Sequence, residues 1–467
     1  MGEALGHYII FRSDMEPPIM RNKLIAVAVA AAFSTLSFGA HADDSDINTF
    51  HDLFTQGHVD GEFRLYDFNR SYDYDVAAKP SARAFGGAIL LNANTASLDG
   101  FSAGASLVSA NALGSLADNP KRVDTTLMGA SDSLTALSQA YLQYQNDWAK
   151  VKAGYQYLNT PWMGNNDGRL IPTSYEAISA DFTPVKGWDI YAIREFSARS
   201  RTSDDYFNDN NYYPTTYQGD TLYGGNQGLP LTAKQTSGTW TVGSTYVNGG
   251  LKAQGWYYDF LDFTRMGYAD GSYVFKTGTG FDPVIGFQGL TESGGGSDNV
   301  LVENKLKING IAGTNVDSKA WGADLGVVIP NGRFDVYYNK VQQETNSDIG
   351  DGTIISPFTA SYATDPLYTT SMIRGLVEAG PGHAWKAKMT YGFFDNKLQL
   401  VGAYAKYTTD LNGDFHDTYF DIIYNFDGFL KGFQIRDRWE KSVGGINNLN
   451  PGNEPFTYNR VMLSYKF

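Results

Sequence analysis

The last eight residues of the sequence are Arg460-Val461-Met462-Leu463-Ser464-Tyr465-Lys466-Phe467, and their pattern indicates the kind of fold. The side chains of this stretch alternate in polarity, and it finishes on an aromatic residue. Because successive side chains of a β-strand point to opposite faces, such alternation predicts a strand with one apolar and one polar face. The stretch therefore predicts a final strand that separates an apolar environment from a polar one.

The same period-two alternation recurs along nearly the whole chain. Segment 433–440 puts Phe433, Ile435 and Trp439 on one face and its polar residues on the other, with Asp437 as the exception. These runs, among them 269–277, 382–393 and 456–467, are roughly 9–13 residues long, whereas soluble strands average about 5–6 residues and membrane-crossing strands need about 9–11. Aromatic residues at the ends of the runs are typical of the interfacial girdles of membrane barrels.

The composition excludes several classes of protein. The chain has 467 residues, no cysteine, and 50 Asp+Glu against 36 Lys+Arg. Zero cysteine excludes disulfides and thiolate metal sites, and an acidic chain is a poor nucleic-acid binder because phosphates require a basic surface. No cluster of metal-ligating residues supports a cofactor, so none is predicted.

The N-terminal region predicts a targeting segment. The basic residues near Met20 precede an apolar run at 24–33, and Ala40-His41-Ala42 fits a cleavage site. We therefore interpret 1–42 as an upstream extension plus a signal peptide, with Met20 as the better start, and 43–467 as one barrel domain. A membrane anchor is the alternative, but the run is shorter than the roughly 20 apolar residues of a spanning helix.

An exported chain with these runs is either a soluble secreted β-protein or an outer-membrane β-barrel. Long runs, aromatic ends and the final Phe467, which resembles the recognition signal of the outer-membrane assembly machinery, favour the barrel. The prediction is an all-β, transmembrane antiparallel β-barrel of about 18 strands in the outer membrane of a Gram-negative bacterium, in contact with its lipid. Short turns are expected on the periplasmic side. Long extracellular loops, expected at 110–135, 158–173, 198–234, 293–315 and 344–381, can fold into the lumen.

Arginines line the predicted lumen next to the place where the barrel closes. Because inward and outward positions alternate along a strand, the parity of the residue number places Arg64 and Arg70 of the first strand inside the barrel. The same rule places inside Arg436, Arg438 and Arg460 of the last two strands. Arginine keeps its charge when confined, so these residues would form a fixed positive track of weak sites for carboxylates. The alternative is a set of structural arginines, each paired with a nearby carboxylate.

Several short stretches carry a resemblance to a known family. Arg64-Leu65-Tyr66-Asp67-Phe68-Asn69-Arg70 is similar to a first-strand motif in which Phe-Asn-Arg closely follows an arginine. Asp167-Gly168-Arg169-Leu170-Ile171-Pro172 is similar to Asp-x-Arg-Leu-Leu-Pro, which an aromatic residue follows, here Tyr175. The segments 380–385, 436–439 and 459–465 are similar to motifs of late strands. Together they resemble the OprD family (Occ) of substrate-specific outer-membrane porins, although His383 stands where the family commonly has Glu.

The resemblance implies a channel of about 18 strands, monomeric or loosely trimeric, with a basic ladder and a narrow eyelet bounded by inward loops. When the family's motifs are matched to this sequence, the resemblance implies that the basic ladder consists of Arg64, Arg70, Arg436, Arg438 and Arg460. The constriction loop carries Asp167, Arg169 and Tyr175. Loop sequences differ most from the family, so the resemblance does not identify the substrate.

The function predicted from these observations is passive, substrate-selective diffusion of small water-soluble solutes. The solutes are anionic or zwitterionic, and bear a carboxylate, as amino acids and aromatic or other organic acids do. A general ion-conducting porin without marked selectivity is the main alternative. A barrel-embedded hydrolase is disfavoured because no histidine lies near a nucleophile motif such as Gly-x-Ser-x-Gly, so the chain is predicted not to be an enzyme.

Overall fold

A computed structural model describes residues 49–73, 81–114, 122–129, 131–165, 167–208, 235–295, 315–348, 350–358, 366–377, 379–445 and 455–467. The proposed extension and signal peptide at 1–42 lie outside the described residues and stay a prediction. No helix among the described residues is long and apolar enough to cross a membrane.

The chain forms one closed antiparallel β-barrel of 18 strands, which confirms the predicted fold class. Each strand pairs with its neighbours in the sequence, and the last strand pairs with the first. The strands are β1 His58–Tyr72, β2 Ala82–Asn94, β3 Phe101–Ala112, β4 Ser133–Gln145, β5 Ala149–Gln156, β6 Ser174–Val185, β7 Trp188–Arg199, β8 Thr239–Asn248, β9 Leu251–Phe260, β10 Thr264–Val274, β11 Asp282–Gly295, β12 Asn315–Ile329, β13 Gly332–Val341, β14 Gly382–Phe393, β15 Leu398–Thr409, β16 Gly413–Asn425, β17 Phe433–Gly444 and β18 Phe456–Lys466.

The terminal stretch of the sequence closes the barrel as β18. Its residues pair in antiparallel register with β1, for example Tyr465 opposite Phe63 and Arg460 opposite Phe68. At the very end, the backbone N–H groups of Gly61 and Phe467 each donate to the other's carbonyl oxygen at 3.0 Å. Closure leaves no unpaired strand edge, so every strand has two hydrogen-bonded neighbours.

The connections differ between the two ends of the barrel. Each even-numbered strand is joined to the next odd-numbered one by a short segment, such as 146–148, 249–250, 330–331 and 394–397. Because the strands are antiparallel, all of these lie at one end, which we call the short-turn end. The segments that were expected to be long all lie at the opposite, long-loop end.

Alternate residues face inward and outward as the sequence parity predicts. On β1, Phe63 is 50 % exposed and Leu65 is 38 % exposed. Arg64 and Tyr66, the residues that directly follow them, are buried. The same pattern holds on β13, where Phe334 and Val336 are exposed and Asp335 is buried. At these positions the apolar side chains therefore face outward and the polar ones face inward.

A short helix precedes the barrel, and the sequence analysis did not predict it. Helix α1, Phe50–Thr55, begins with a capping box in which Thr49 and Asp52 satisfy each other's backbone N–H groups. Leu53 is its buried residue. The Leu53 carbonyl accepts a hydrogen bond of 2.9 Å from the Ala96 N–H, which ties the helix to the turn between β2 and β3 at the short-turn end.

Candidate functional site

The segment between β5 and β6, which we call the constriction segment (157–173), folds inside the barrel. Its residues Leu170 and Ile171 are completely buried. The position of Gly86 on β2 accommodates Leu170, because a Cβ atom built there would lie 2.7 Å from Leu170 Cδ1. Tyr175 lies at the start of β6 and donates a hydrogen bond of 2.9 Å from its hydroxyl to the Gly164 carbonyl, which fixes the other side of the segment.

Arg64 holds the tip of the constriction segment to the barrel wall. Its guanidinium donates to the Arg169 carbonyl at 3.0 Å and to the Asp167 carboxylate at 2.9 Å. A third contact, to the Glu62 carboxylate, is also 2.9 Å long. The Arg64 side chain is only 4 % exposed, so its charge is satisfied by two carboxylates and is largely hidden from the lumen.

Three further arginines that the sequence predicted to belong to the site are also buried. Arg169 donates from Nε to the Thr126 carbonyl at 2.8 Å, and its guanidinium lies 5.1 Å from the centre of the Phe68 ring. Arg70 and Arg460 lie 4.4 Å and 4.2 Å from the centre of the Tyr458 ring. Arginine tolerates such packing because its planar guanidinium stacks on aromatic faces. These side chains therefore build the wall and its inward segments.

A second inward segment, 366–377, crosses the lumen between distant strands, and we call it the crossing segment. On one side, the Tyr368 N–H donates to Gln288 Oε1 at 2.8 Å. On the other side, the Met372 N–H donates to Glu440 Oε2 at 2.7 Å and Arg374 Nη2 donates to Asp417 Oδ1 at 3.1 Å. The segment therefore links β11 to β16 and β17. Burial within this segment raises the pKa of the Tyr368 phenol above its usual range.

Arg436 and Arg438 remain accessible from the lumen. Their side chains are 29 % and 18 % exposed, respectively. Arg436 donates from Nε to Asp421 Oδ1 at 2.9 Å, and Arg438 donates from Nε to the Tyr419 hydroxyl at 3.2 Å. The remaining guanidinium N–H groups of Arg438 are not engaged by a carboxylate hydrogen bond among the described residues.

The constriction segment and β17 meet at one narrow place. A Cβ atom built on Gly168 would lie 3.9 Å from Arg438 Nη1, with no other atom as near. The side chain of the neighbouring Asp167 is 39 % exposed, although it also pairs with Arg64. The structure therefore brings Asp167, Arg64 and Arg438 to one side of the lumen, whereas Arg70 is buried against Tyr458.

The structure adds residues that the sequence analysis did not assign to the site. Lys386 and Lys388 on β14 occupy the inward positions that alternate with Trp385. Lys386 donates to the Thr370 carbonyl at 2.8 Å, so it supports the crossing segment. Lys388 is half-buried and forms no ion pair with a described residue. Polar and apolar residues alternate visibly in the sequence of this segment, so the parity of their positions alone was sufficient to place both lysines on the inner wall.

The described part of the inner wall carries charged and hydrogen-bonding groups. His383 and His416 lie on outward positions, where their rings contact Tyr338 and Tyr404. No group of three or more potential metal ligands occurs within the described part of the chain. The partly exposed Arg436 and Arg438 line the lumen beside the Tyr419 hydroxyl, and the Asp421 carboxylate is buried next to them.

Comparisons with known proteins support the fold. No family model matches the sequence, and no curated protein sequence matches it. Among solved structures, Pseudomonas aeruginosa OccK9 (OpdG) is 17 % identical with a TM-score of 0.70, over 89 % of this chain and 99 % of that one. P. aeruginosa OpdK with vanillate is 16 % identical with a TM-score of 0.68, over 88 % and 98 %. A BenF-like porin from Pseudomonas fluorescens Pf-5 is 14 % identical with a TM-score of 0.71, over 89 % and 99 %. The chain shares the barrel architecture of these proteins over nearly their whole length.

Proposed function

We propose that the chain is an outer-membrane porin for passive diffusion of small water-soluble solutes that bear a carboxylate. The observation that carries this proposal is the position of Arg436 and Arg438, which expose charge to the lumen where the constriction segment approaches the wall. The apolar outer surface suits a lipid environment, and the closed barrel fold matches that of the porins above.

The physical basis is a weak, fixed attraction for anions. Arginine stays charged at all relevant pH values, and confined charges act more strongly than charges in bulk water. Asp421 accepts from Arg436 and so reduces the net charge that a solute meets. This moderation suits transport, because a site that binds too tightly does not release its solute. Diffusion then follows the concentration gradient.

The other arginines have a different part in this proposal. Arg64, Arg70, Arg460 and Arg169 are buried, so they do not contact the solute directly. They position the inward segments. Any of them whose charge is not offset by a nearby carboxylate also adds to the positive electrostatic potential along this wall. The ladder proposed from the sequence thus divides into residues that contact the solute and residues that shape its path.

The choice of solute rests on the chemistry of the wall. Guanidinium groups match the geometry of carboxylates and can donate two parallel hydrogen bonds to them. OpdK, one of the structural neighbours, was crystallised with vanillate, which is itself a carboxylate. Amino acids and aromatic or other organic acids are therefore the first solutes to test, with zwitterions included because Asp167 and Asp421 lie beside the arginines.

The cellular setting belongs to the same proposal. Within residues 1–42, the signal peptide that begins at Met20 would direct export and be removed, and Phe467, directly after β18, would mark the chain for barrel assembly. The short-turn end would face the periplasm and the long-loop end the exterior, as is usual in such barrels. The protein would act as a monomer or a loose homotrimer.

A general porin without marked selectivity is the second candidate. The pairing of Arg436 with Asp421, and of Arg64 with Glu62 and Asp167, favours it because paired charges attract a passing anion less. An uptake panel in liposomes separates the two candidates. We expect benzoate to enter several-fold faster than benzamide, a neutral solute of similar size. Equal rates would support the general porin, and absence of any uptake would contradict both.

A further inference from the structure

A second inward cation lies on a different wall from the arginines. Lys152 is on β5, at an inward position opposite Gln143 of β4 and Ser179 of β6. It is half-buried and forms no salt bridge with a carboxylate of the described residues. A half-buried ammonium without a carboxylate partner is costly to desolvate, so its surroundings must compensate in another way.

The compensation comes from an aromatic ring that lies flat on the wall. Lys152 Nζ is 3.9 Å from the centre of the Tyr141 ring, within the range of a cation–π contact. The ring packs over Gly104 on β3, because a Cβ atom built there would lie 2.4 Å from Tyr141 Cζ. The Tyr141 hydroxyl donates to Asn94 Oδ1 at 2.9 Å, which fixes the orientation of the ring.

This arrangement holds the ammonium in place without neutralising it. A ring face attracts a cation but carries no net charge, whereas a carboxylate would cancel the charge. An ammonium has three N–H donors, and the ring face engages only one side of it. The neighbouring Gln143 and Ser179 are uncharged, so they do not reduce the attraction for an anion.

Lys150 on the same strand shows the contrasting arrangement. It lies two residues nearer to the short-turn end, on the same face of β5, and its Nζ is 3.2 Å from Asp181 Oδ2. Its charge is therefore paired. The two lysines share strand, face and chemistry. A carboxylate accompanies the ammonium of Lys150, which is the more exposed of the two, and an aromatic ring accompanies that of Lys152.

Lys152 and Arg436 lie at similar depths on separate walls. Lys152 is three residues from the start of β5 at Ala149, and Arg436 is three residues from the start of β17 at Phe433. Both strands start at the short-turn end. Six steps around the 18-stranded barrel separate β17 from β5, which is one third of the circumference.

We propose that Lys152, held over Tyr141, forms a second anion subsite that takes the carboxylate of a permeating solute on the wall away from the arginines. This inference rests on the proposed function and deepens it, because it adds a separate site for the same class of solute. A carboxylate that leaves Arg436, whose charge Asp421 partly offsets, then meets a cation without a carboxylate partner among the described residues before it reaches the end of the barrel.

Planar-bilayer recordings of the full mature chain test the subsite. Benzoate is added on the short-turn side as the probe, and its block of the chloride current is measured. We expect Lys152→Met to weaken the block by roughly two- to fivefold, as expected for loss of one nearby charge in partly screened surroundings. Lys150→Met, the matched control, removes a paired charge from the same face and should change the block less. Lys152→Arg should retain most of the wild-type block.

The outcomes separate this inference from the proposed function. If Lys152→Met behaves like Lys150→Met while Arg436→Ala with Arg438→Ala weakens the block, the second subsite is wrong and the porin proposal stands. If none of these variants changes the block, the proposed function fails as well. Heat-modifiable migration in detergent gels confirms that each variant is folded, and Lys152→Gln replaces Lys152→Met if the latter does not assemble.

Discussion

The arginines near the barrel closure fall into two regions with different environments. In the buried region, Arg70 and Arg460 pack on Tyr458 and are hidden from the lumen. In the accessible region, Arg436 and Arg438 on β17 keep part of their surface open to the lumen, although Arg438 lies directly opposite Arg460 in the strand register. All four point inward. The comparison shows that facing the lumen and being accessible from it are separate properties, and that the inward segments decide the second one.

The buried region also explains how the constriction keeps its shape. Arg64 joins two carboxylates, Glu62 and Asp167, to a loop carbonyl, and the crossing segment is fixed by Glu440 and Asp417. Removing one partner of a buried charge pair leaves the other charge uncompensated, which costs far more than removing an exposed pair. Substitutions in the two regions should therefore have different effects. Replacing a buried arginine should disturb the structure, and replacing an accessible arginine should change the ion selectivity.

The largest effect is expected for Arg64→Met. It leaves Glu62 and Asp167 without their shared partner, so stability should fall by about 3–5 kcal/mol, the usual cost of breaking a buried pair. The released constriction segment should also give larger and noisier single-channel currents. Unfolding in urea with the barrel in detergent, together with bilayer recordings, checks both expectations.

Arg83→Met is the matched control for Arg64→Met. Arg83 on β2 pairs with Asp67, but its side chain is 64 % exposed on the outer face. Loss of such an exposed pair should cost no more than about 1 kcal/mol. Similar losses of stability in the two variants would contradict the claim that burial makes the Arg64 ion pairs costly to break.

The next effect concerns the crossing segment. Arg374 pairs with Asp417, contacts Ser442, and stacks on the Phe415 ring at 4.1 Å. Arg374→Met should detach one side of the crossing segment and increase conductance, with a smaller loss of stability than Arg64→Met because Ser371 and Ser442 still donate to Asp417. Unchanged conductance in bilayers would show that this segment does not narrow the channel.

A smaller, purely electrostatic effect is expected at Gly168. Its φ is not in the left-handed region, and a Cβ atom would meet only Arg438 Nη1 at 3.9 Å, so a side chain fits there. Gly168→Asp should offset the charge of Arg438 and reduce the chloride-to-potassium permeability ratio by roughly twofold. Gly168→Asn, which has the same size without the charge, is the control. The expectation is wrong if the two variants have equal ratios.

The smallest effect is expected at Lys388. This lysine extends the positive wall from β14, but it lies three strands from Arg436, so Lys388→Met should reduce anion preference by less than about twofold. Lys406→Met on the outward face of β15 is the control and should leave selectivity unchanged. A larger effect at Lys388 than at Arg438 would move the principal contact from β17 to β14.

Much of the fold could be predicted because alternation and turn composition act locally. The runs predicted near 382–393 and 456–467 match β14 and β18 to within a residue. The run predicted near 269–277 was displaced, since β10 spans Thr264–Val274. There the chain reverses within 261–263, with Asp262 in the left-handed region (φ 60°), so the strand starts earlier than its composition indicated.

Accessibility inside the barrel could not be predicted in the same way. Parity placed Arg64 and Arg438 on the lumen side correctly, but burial of Arg64 depends on a contact with Asp167, 103 residues away in the sequence. Packing of the inward segments is long-range and follows no period. The capping box of Thr49 and Asp52 was a local signal that could have revealed helix α1.

The zero-current potential of a double variant tests whether Arg436 and Arg438 attract anions inside the barrel. The wild-type protein and the variant Arg436→Ala with Arg438→Ala are compared in bilayers under a potassium chloride gradient. We expect the wild type to prefer chloride and the double variant to lose this preference by roughly fivefold or more. An unchanged zero-current potential in a correctly folded double variant would contradict this expectation.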